Sequence, residues 1–213
     1  MTRRSNDSKI RLLSAHSIHH RTYILCYKPY GVLCQFTSDS AQATLKDFKF
    51  PKQVYSIGRL DADSEGLLLL TNDGRFKHLL IEPKFNHPRT YAVQVEGIPD
   101  EHCLETLRKG VVIEGIKTKP AQARLLEQDP LFPPRSKPIR HRAHIPTSWI
   151  EMILTEGRNK QVRKMTAAVG HPTLRLIRTN ILNLNLEGLS PGEWRFLTEE
   201  EMESIRLLLH QKL

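Results

Sequence analysis

Apolar residues along this chain come in short runs, and most of the runs stop at glycine or proline. "TYILCY" at 22–27 leads into Pro29 and Gly31, "VYSI" at 54–57 into Gly58, and "GLLLLT" at 66–71 into Asn72-Asp73-Gly74. Each is predicted to be a strand closed by a turn. "RTYAVQVEG" at 89–97 alternates like a half-buried strand, and "VVI", "AQARLLE" and "SWIEMILTEG" add three more. "TLRLIRTNILNLNL" at 173–186 reads as two paired or bent strands.

Helical spacing separates these runs. "RFKHLLIEP" predicts a short helix stopped by Pro83, and "PDEHCLETLRKG" has early acids, a basic last turn and a terminal glycine, the order that the helix dipole favours. In "RNKQVRKMTAAVG", ended by Gly170, Val162, Met165 and Val169 form the apolar face. "TEEEMESIRLLLHQ" starts at Thr198 with an acid three residues later, a capping box. Strands interspersed with helices, joined mostly by connections too short for parallel crossovers, predict an α+β fold with a largely antiparallel sheet. Two stretches lack periodicity. Residues 1–21 form a basic arm expected to be flexible, and 128–147, "QDPLFPPRSKPIRHRAHIPT", form a proline-rich loop.

Composition narrows the class. Of 213 residues, 39% are hydrophobic and 26% charged, as in a soluble globular protein, and no run is long enough to span a bilayer. The polar, basic N-terminus lacks the apolar core of a signal peptide, so a cytoplasmic location and no membrane partner are expected. Three cysteines without Cys-x-x-Cys spacing suggest neither a disulfide framework nor a zinc site. A formal charge of +9 points to a polyanionic partner, with nucleic acid first, because each neutralised phosphate releases counterions. A basic soluble enzyme with no such partner is the alternative.

Against that positive background, "GRLDADSEG" gathers Asp61, Asp63 and Glu65. In an extended segment the three would face one side and could hold a divalent metal. A turn at Ser64-Glu65-Gly66 would break that alignment, leaving Asp61 as a lone carboxylate beside a cleft. Its candidate partner lies in "EGRNKQVRKM", where Arg158, Lys160, Arg163 and Lys164 crowd a helix start. An arginine there could hold Asp61 ionised, or the basic residues could simply be a solvated helix face. Arg135, Lys137, Arg140 and Arg142, in a loop segment without acids, suit a phosphate backbone or plain solvent equally. His141 and His144 sit among prolines and are discounted as metal ligands, and Tyr91 is either core packing or a platform for a base.

Four stretches together, "YKPYG" at 27–31, "GRLDADSEGLLLLTNDG" at 58–74, "RTYAVQVEG" at 89–97 and "EGRNKQVRKM" at 156–165, resemble the RsuA-type RNA pseudouridine synthases. The resemblance runs from about Ile24 to Leu197, and "VEGIP", "KPIRHRAHIPTSW" and "HPTLRLIR" look most like the subgroup acting on large-subunit ribosomal RNA. It implies one catalytic domain over 22–213, two lobes sharing one sheet; many relatives also carry an N-terminal S4 RNA-binding module, for which the roughly 23 residues ahead of "ILCYKPYG" are too few, so none is expected here. It also implies an isomerase that needs no cofactor and no metal, detaching uracil from C1′ of a uridine and rejoining it through C5. In 23S ribosomal RNA the base must first be flipped out.

Residue by residue, Asp61 matches the family's catalytic aspartate, Arg163 the basic residue paired with it, and Tyr91 the tyrosine that stacks on the base. Arg59 matches the side chain that enters the vacated space. Arg158, Asn159, Lys160, Lys164 and Arg178, with the loop residues Arg135, Lys137, Arg140 and Arg142, are the expected RNA contacts. The family's glycine soon after "LIR" is replaced here by Thr179-Asn180-Ile181-Leu182. A monomer is expected. Two other classes compete: a noncatalytic RNA-binding or ribosome-assembly protein on the same scaffold, and a metal-dependent nuclease or phosphatase using the three carboxylates.

Overall fold

Leu67 to Leu70, at most 1% exposed, form the centre of strand β3 (Glu65–Thr71). Alternation along the strand sends them both ways. Leu67 and Leu69 pack with Leu25, Phe76, Leu80 and Ile205, and Leu68 and Leu70 pack with Ile24, Cys26 and Leu45. A strand covered on both faces reads as an unbroken apolar run, which accounts for the four leucines.

The computed structural model describes residues 21–140, 142 and 144–210, so the basic arm expected over 1–21 lies almost wholly outside the described residues. In chain order the further elements are β1 (Tyr23–Lys28), β2 (Tyr55–Ser56), α1 (Gly74–Ile81), β4 (Arg89–Glu96), α2 (Glu101–Lys109), β5 (Val112–Ile113), β6 (Ile116–Lys117) and β7 (Gln122–Leu125). They continue with β8 (Thr147–Leu154), α3 (Gln161–Ala168), β9 (Thr173–Ile181), β10 (Trp194–Phe196) and α4 (Glu199–His210). Eight strands form one sheet in the order β10-β1-β3-β9-β4-β8-β7, with β2 paired to β3 off this path. All pairings are antiparallel except β3 with β9, which meet in parallel at only Glu65↔Ile177 and Gly66↔Arg178. This is the α+β, largely antiparallel mixed sheet with flanking helices that the periodicity predicts.

The two-residue parallel contact joins the two halves of the sheet, and Gly66 makes it possible. Its φ is +111°, and a Cβ there would lie 2.3 Å from Arg178 O. One half carries α1 and α4 on one face and an aromatic cluster of Phe36, Phe48, Phe50 and Trp194 on the other. The other half carries α2 and α3 over Val93, Val95, Ile150 and Met152.

Local signals held where they were strong. Thr198 and Glu201 form the reciprocal capping box, with Glu201 N donating to Thr198 Oγ1 at 3.1 Å and Thr198 N donating to Glu201 Oε2 at 2.9 Å. Asp100 Oδ1 caps α2 by accepting from Cys103 N at 2.8 Å. Three details differ. β6 and β10 are too short to show a period. The 173–186 run is one nine-residue strand, ended by Leu182 at φ +55° and a single bridge from Ile181 to Leu184. Leu182 therefore takes a left-handed turn conformation in the region where the family's glycine is missing.

Candidate active site

Three hydrogen bonds hold the loop between β2 and β3. Ser64 N donates to Asp61 O at 3.0 Å, Gly31 N donates to Ala62 O at 2.7 Å, and Arg163 Nη2 donates to Asp63 O at 2.8 Å. Buried Leu60 anchors the same loop in the core, while Asp61 stays partly exposed. Among the described residues, the Asp61 carboxylate has no hydrogen bond and no ion pair. The turn spans Asp61 to Ser64, ahead of the Ser64-Glu65-Gly66 turn expected, because Glu65 and Gly66 already belong to β3.

The expected Arg163–Asp61 ion pair is replaced by another. Arg163, on the first turn of α3, spends its fork on backbone: Nη2 on Asp63 O, and Nη1 on Thr173 O at 3.4 Å. Its Nε lies 3.4 Å from Asp63 Oδ2, a charge contact without hydrogen-bond geometry. Arg163 thus fixes the loop that presents Asp61 rather than the Asp61 carboxylate itself.

Glu65 is also committed. Both of its oxygens accept from Arg175, from Nε and Nη2 at 2.8 Å each, and both side chains are buried. A metal held by Asp61, Asp63 and Glu65 loses its third ligand to this pair, and no group of three possible ligands occurs among the described residues.

Behind the loop lies Lys28, fully buried, with Nζ donating to Pro29 O and Val32 O at 2.9 Å. Burial pulls its pKa down to about 8 against the opposing pull of nearby groups that include Glu65 and Asp63. The lysine of "YKPYG" thereby shapes the turn whose Gly31 grips Ala62. Arg135 of the long loop stacks on Tyr30 of the same turn, 4.4 Å from the ring centre, and donates to Pro138 O at 3.2 Å. Burial lowers its pKa. Arg175 also reaches this loop, donating to Pro133 O at 2.7 Å, so the first half of the loop is pinned beside the acids.

Tyr91, on β4, is partly buried against the Val93 core and stands opposite Arg178 of β9. Arg178 is 3% exposed; its Nε donates to Leu67 O at 2.8 Å, and its Nη2 is buried without a partner. Two of the expected RNA contacts already have partners within the protein. Arg158 donates to Ile116 O and Lys117 O, and Lys164 pairs with Glu114 at 2.6 Å, so both hold the β5–β6 hairpin. Asn159 and Lys160 are exposed, and Lys160 takes φ +49° to start α3. Arg59, Lys137 and Arg140 are exposed and have no ion pair among the described residues, whereas Arg142 contacts Glu96 at 2.9 Å. A shallow cavity of about 390 Å³ is lined by Arg140, Arg142 and His144 among others, but not by Asp61, Tyr91 or Arg163.

Residues 22–168 match the family model for RNA pseudouridylate synthase. The chain belongs to that family. A relative in Xanthomonas campestris pv. campestris, a ribosomal large subunit pseudouridine synthase E, is 52% identical over 174 residues, which are 81% of this synthase and 93% of the relative. A ribosomal large subunit pseudouridine synthase B of Bacillus subtilis is 42% identical over 188 residues, 87% of this chain and 72% of that one. The solved structure of a pseudouridylate synthase superposes with a TM-score of 0.71 at 30% identity, covering 88% of this chain and 74% of the other. This protein is an RNA pseudouridine synthase.

Sequence reasoning passed over Lys28, Arg89 and Arg175 in this synthase. The signal for Lys28 and Arg175 was a cation inside an otherwise apolar strand, which must find a partner when buried. For Arg89 it was the "RTY" stretch, which puts Arg89 and Tyr91 on one face of β4.

Proposed function

We propose that this protein isomerises a specific uridine of 23S ribosomal RNA, in the cytoplasm, with Asp61 as the reacting carboxylate and no cofactor. The observation that carries the reading is a carboxylate without a partner among the described residues, held on a loop that is closed by its own turn and tied to Gly31 and Arg163. A group that must meet a sugar carbon or proton needs such fixed placement, because small errors in position cost large factors in rate. The names of the large-subunit relatives support the choice of RNA, and the +9 charge supports an RNA substrate in general.

In this reading the target base leaves the helix and stacks on Tyr91, while Arg59, exposed ahead of Asp61, enters the vacated space. Asp61 then either attacks C1′ or removes the C2′ proton. Either route breaks the bond from C1′ to N1 and remakes it to C5, after which the C5 proton leaves with Tyr91 assisting. Arg163 holds the Asp61 loop in register through the Asp63 carbonyl. Lys137 and Arg140 follow the phosphate backbone. The enzyme acts as a monomer, with RNA affinity coming from this domain and the basic 1–21 segment.

The test is nucleotide-resolution mapping of pseudouridine in ribosomal RNA from cells lacking the protein, rescued with wild type or Asp61→Asn. A large-subunit site lost on deletion, restored by wild type and not by Asp61→Asn is the expected result. Full rescue by Asp61→Asn removes the assignment, and rescue by Asp61→Asn alongside normal ribosome assembly favours the noncatalytic reading.

A further inference from the structure

Two arginines flank Tyr91 with no acid among the described residues to neutralise them. Arg89 precedes it by two residues on β4, and Arg178 faces it across the β4–β9 pairing, next to a register shift between Thr90 and Tyr91; Arg89 is close enough to both Tyr91 and Arg178 to feel their charge. Neither arginine has an ion-pair partner among the described residues. Arg89 reaches only Leu80 O, through Nη2 at a long 3.5 Å, and Arg178 is anchored by the single bond from Nε to Leu67 O. Arg178 is 97% withdrawn from solvent by its 3% exposure, and its Nη2 has no acceptor. Burying two uncompensated cations side by side is costly, and burial together with the charge of Arg178 depresses the Arg89 pKa, while Tyr91 opposes that fall. Such an arrangement suits an anion that arrives only during reaction.

We propose that Arg89 and Arg178 form a dicationic pocket beside Tyr91 that stabilises the detached uracil as its anion. The inference rests on the isomerase reading above. When the bond from C1′ to N1 breaks, its electron pair stays on N1 and spreads over O2 and O4 of the ring. After the ring turns, a pair from C5 forms the new bond to C1′, the C5 proton is lost and N1 takes up a proton, so the product is an isomer. Negative charge on the base is largest between these two bonds, and fixed cations aimed there act on the transition state rather than on the bound uridine. Arg89, the more accessible of the two, donates to a ring oxygen. Arg178, behind it, adds charge and keeps its orientation through Leu67 O.

The test compares uridine with 5-fluorouridine at the modified position of a large-subunit RNA fragment, under single turnover with saturating enzyme. Fluorine withdraws electrons and stabilises the uracil anion, so the substrate supplies part of what the pocket supplies. Arg89→Met should slow consumption of uridine by about 100-fold and of 5-fluorouridine by less than about 10-fold. Arg89→Lys should fall between that variant and wild type, and Arg178→Met should repeat the Arg89→Met pattern, with melting temperature read for every variant. An equal loss on both substrates overturns the proposal. A loss confined to RNA affinity, with the saturated rate unchanged, also overturns it and makes the pair a phosphate clamp. If wild type modifies no uridine in ribosomal RNA, the function reading has failed, whereas a wild-type rate with no fluorine effect on the variants fails the pocket alone.

Discussion

Arg175 grips Glu65 with two parallel hydrogen bonds of 2.8 Å, both partners buried, beside the parallel pairing of β3 with β9. This pair ties β9 to the start of β3, directly after the loop that presents Asp61. Removing one partner leaves a buried charge uncompensated, so Glu65→Leu or Arg175→Met should each lower the unfolding free energy by about 3–5 kcal/mol. The double variant Glu65→Leu with Arg175→Met should recover much of that loss. Urea denaturation of the three proteins decides it, and additive losses would show that the pair does not act as a unit.

Gly66 is the second tie at this junction. At φ +111° with Arg178 O 2.3 Å from a Cβ position, alanine meets both backbone strain and a clash with backbone. Gly66→Ala should cost about 3 kcal/mol or more and should reduce activity in the fraction that folds. A melting temperature equal to wild type would mean that β3 and β9 can part without consequence.

Asp63 and Arg163 separate two ways of serving Asp61. Arg163→Ala removes the bond to Asp63 O and should lower the single-turnover rate about 100-fold by loosening the loop. Asp63→Asn leaves that backbone bond and removes only the 3.4 Å charge contact, so its loss should be about tenfold or less. The reverse order would give the Asp63 carboxylate the larger role.

Lys28 should make stability depend on alkaline pH. Its pKa is about 8 in the folded chain against an ordinary 10.5, so between these values the unfolded chain holds a proton that the folded chain has released. Stability then rises with pH across that window, and the term opposing folding is at its full size, up to about 3 kcal/mol, below about pH 8. The unfolding free energy of wild type minus that of Lys28→Met should increase between about pH 8 and 10.5. Taking this difference removes most of the contribution of the buried Cys26 and Tyr27, whose pKa values burial pushes up to about 12 and whose effect has the opposite sign. A flat difference would mean that Lys28 is charged or neutral in both states alike.

Lys137 and Arg140, exposed and without ion pairs among the described residues, should carry part of the phosphate contact. Replacing both with alanine should reduce the slope of log affinity against log salt by about 1.5 and leave the single-turnover rate at saturation unchanged. Arg158→Ala, by contrast, should lower the melting temperature by releasing the hairpin at Ile116 and Lys117. An unchanged salt slope in the first variant would place the RNA path elsewhere.

The chain by itself determined what depends on near neighbours and on pattern. Strand and helix periods, the Thr198 capping box, the buried four-leucine strand and the basic loop are all local, and the four motif stretches fixed the family. Asp61 could be singled out as a candidate because it follows "GRL" directly after a predicted strand and stands in a stretch that matches the family. Tertiary structure decided the pairing of charges, since a side chain's partner depends on which strands and loops meet. Arg163 went to Asp63 and Thr173 rather than to the Asp61 carboxylate because α3 docks beside that loop's backbone. Glu65 left the acidic cluster because the parallel register of β3 and β9 brought Arg175 to it. Arg158 and Lys164, expected from the motif to contact RNA, also engage a hairpin whose second strand, β6, is too short to show a period in the sequence. Two buried arginines beside Tyr91 emerged for the same reason: residues 89 and 178 become neighbours only when β4 and β9 pair.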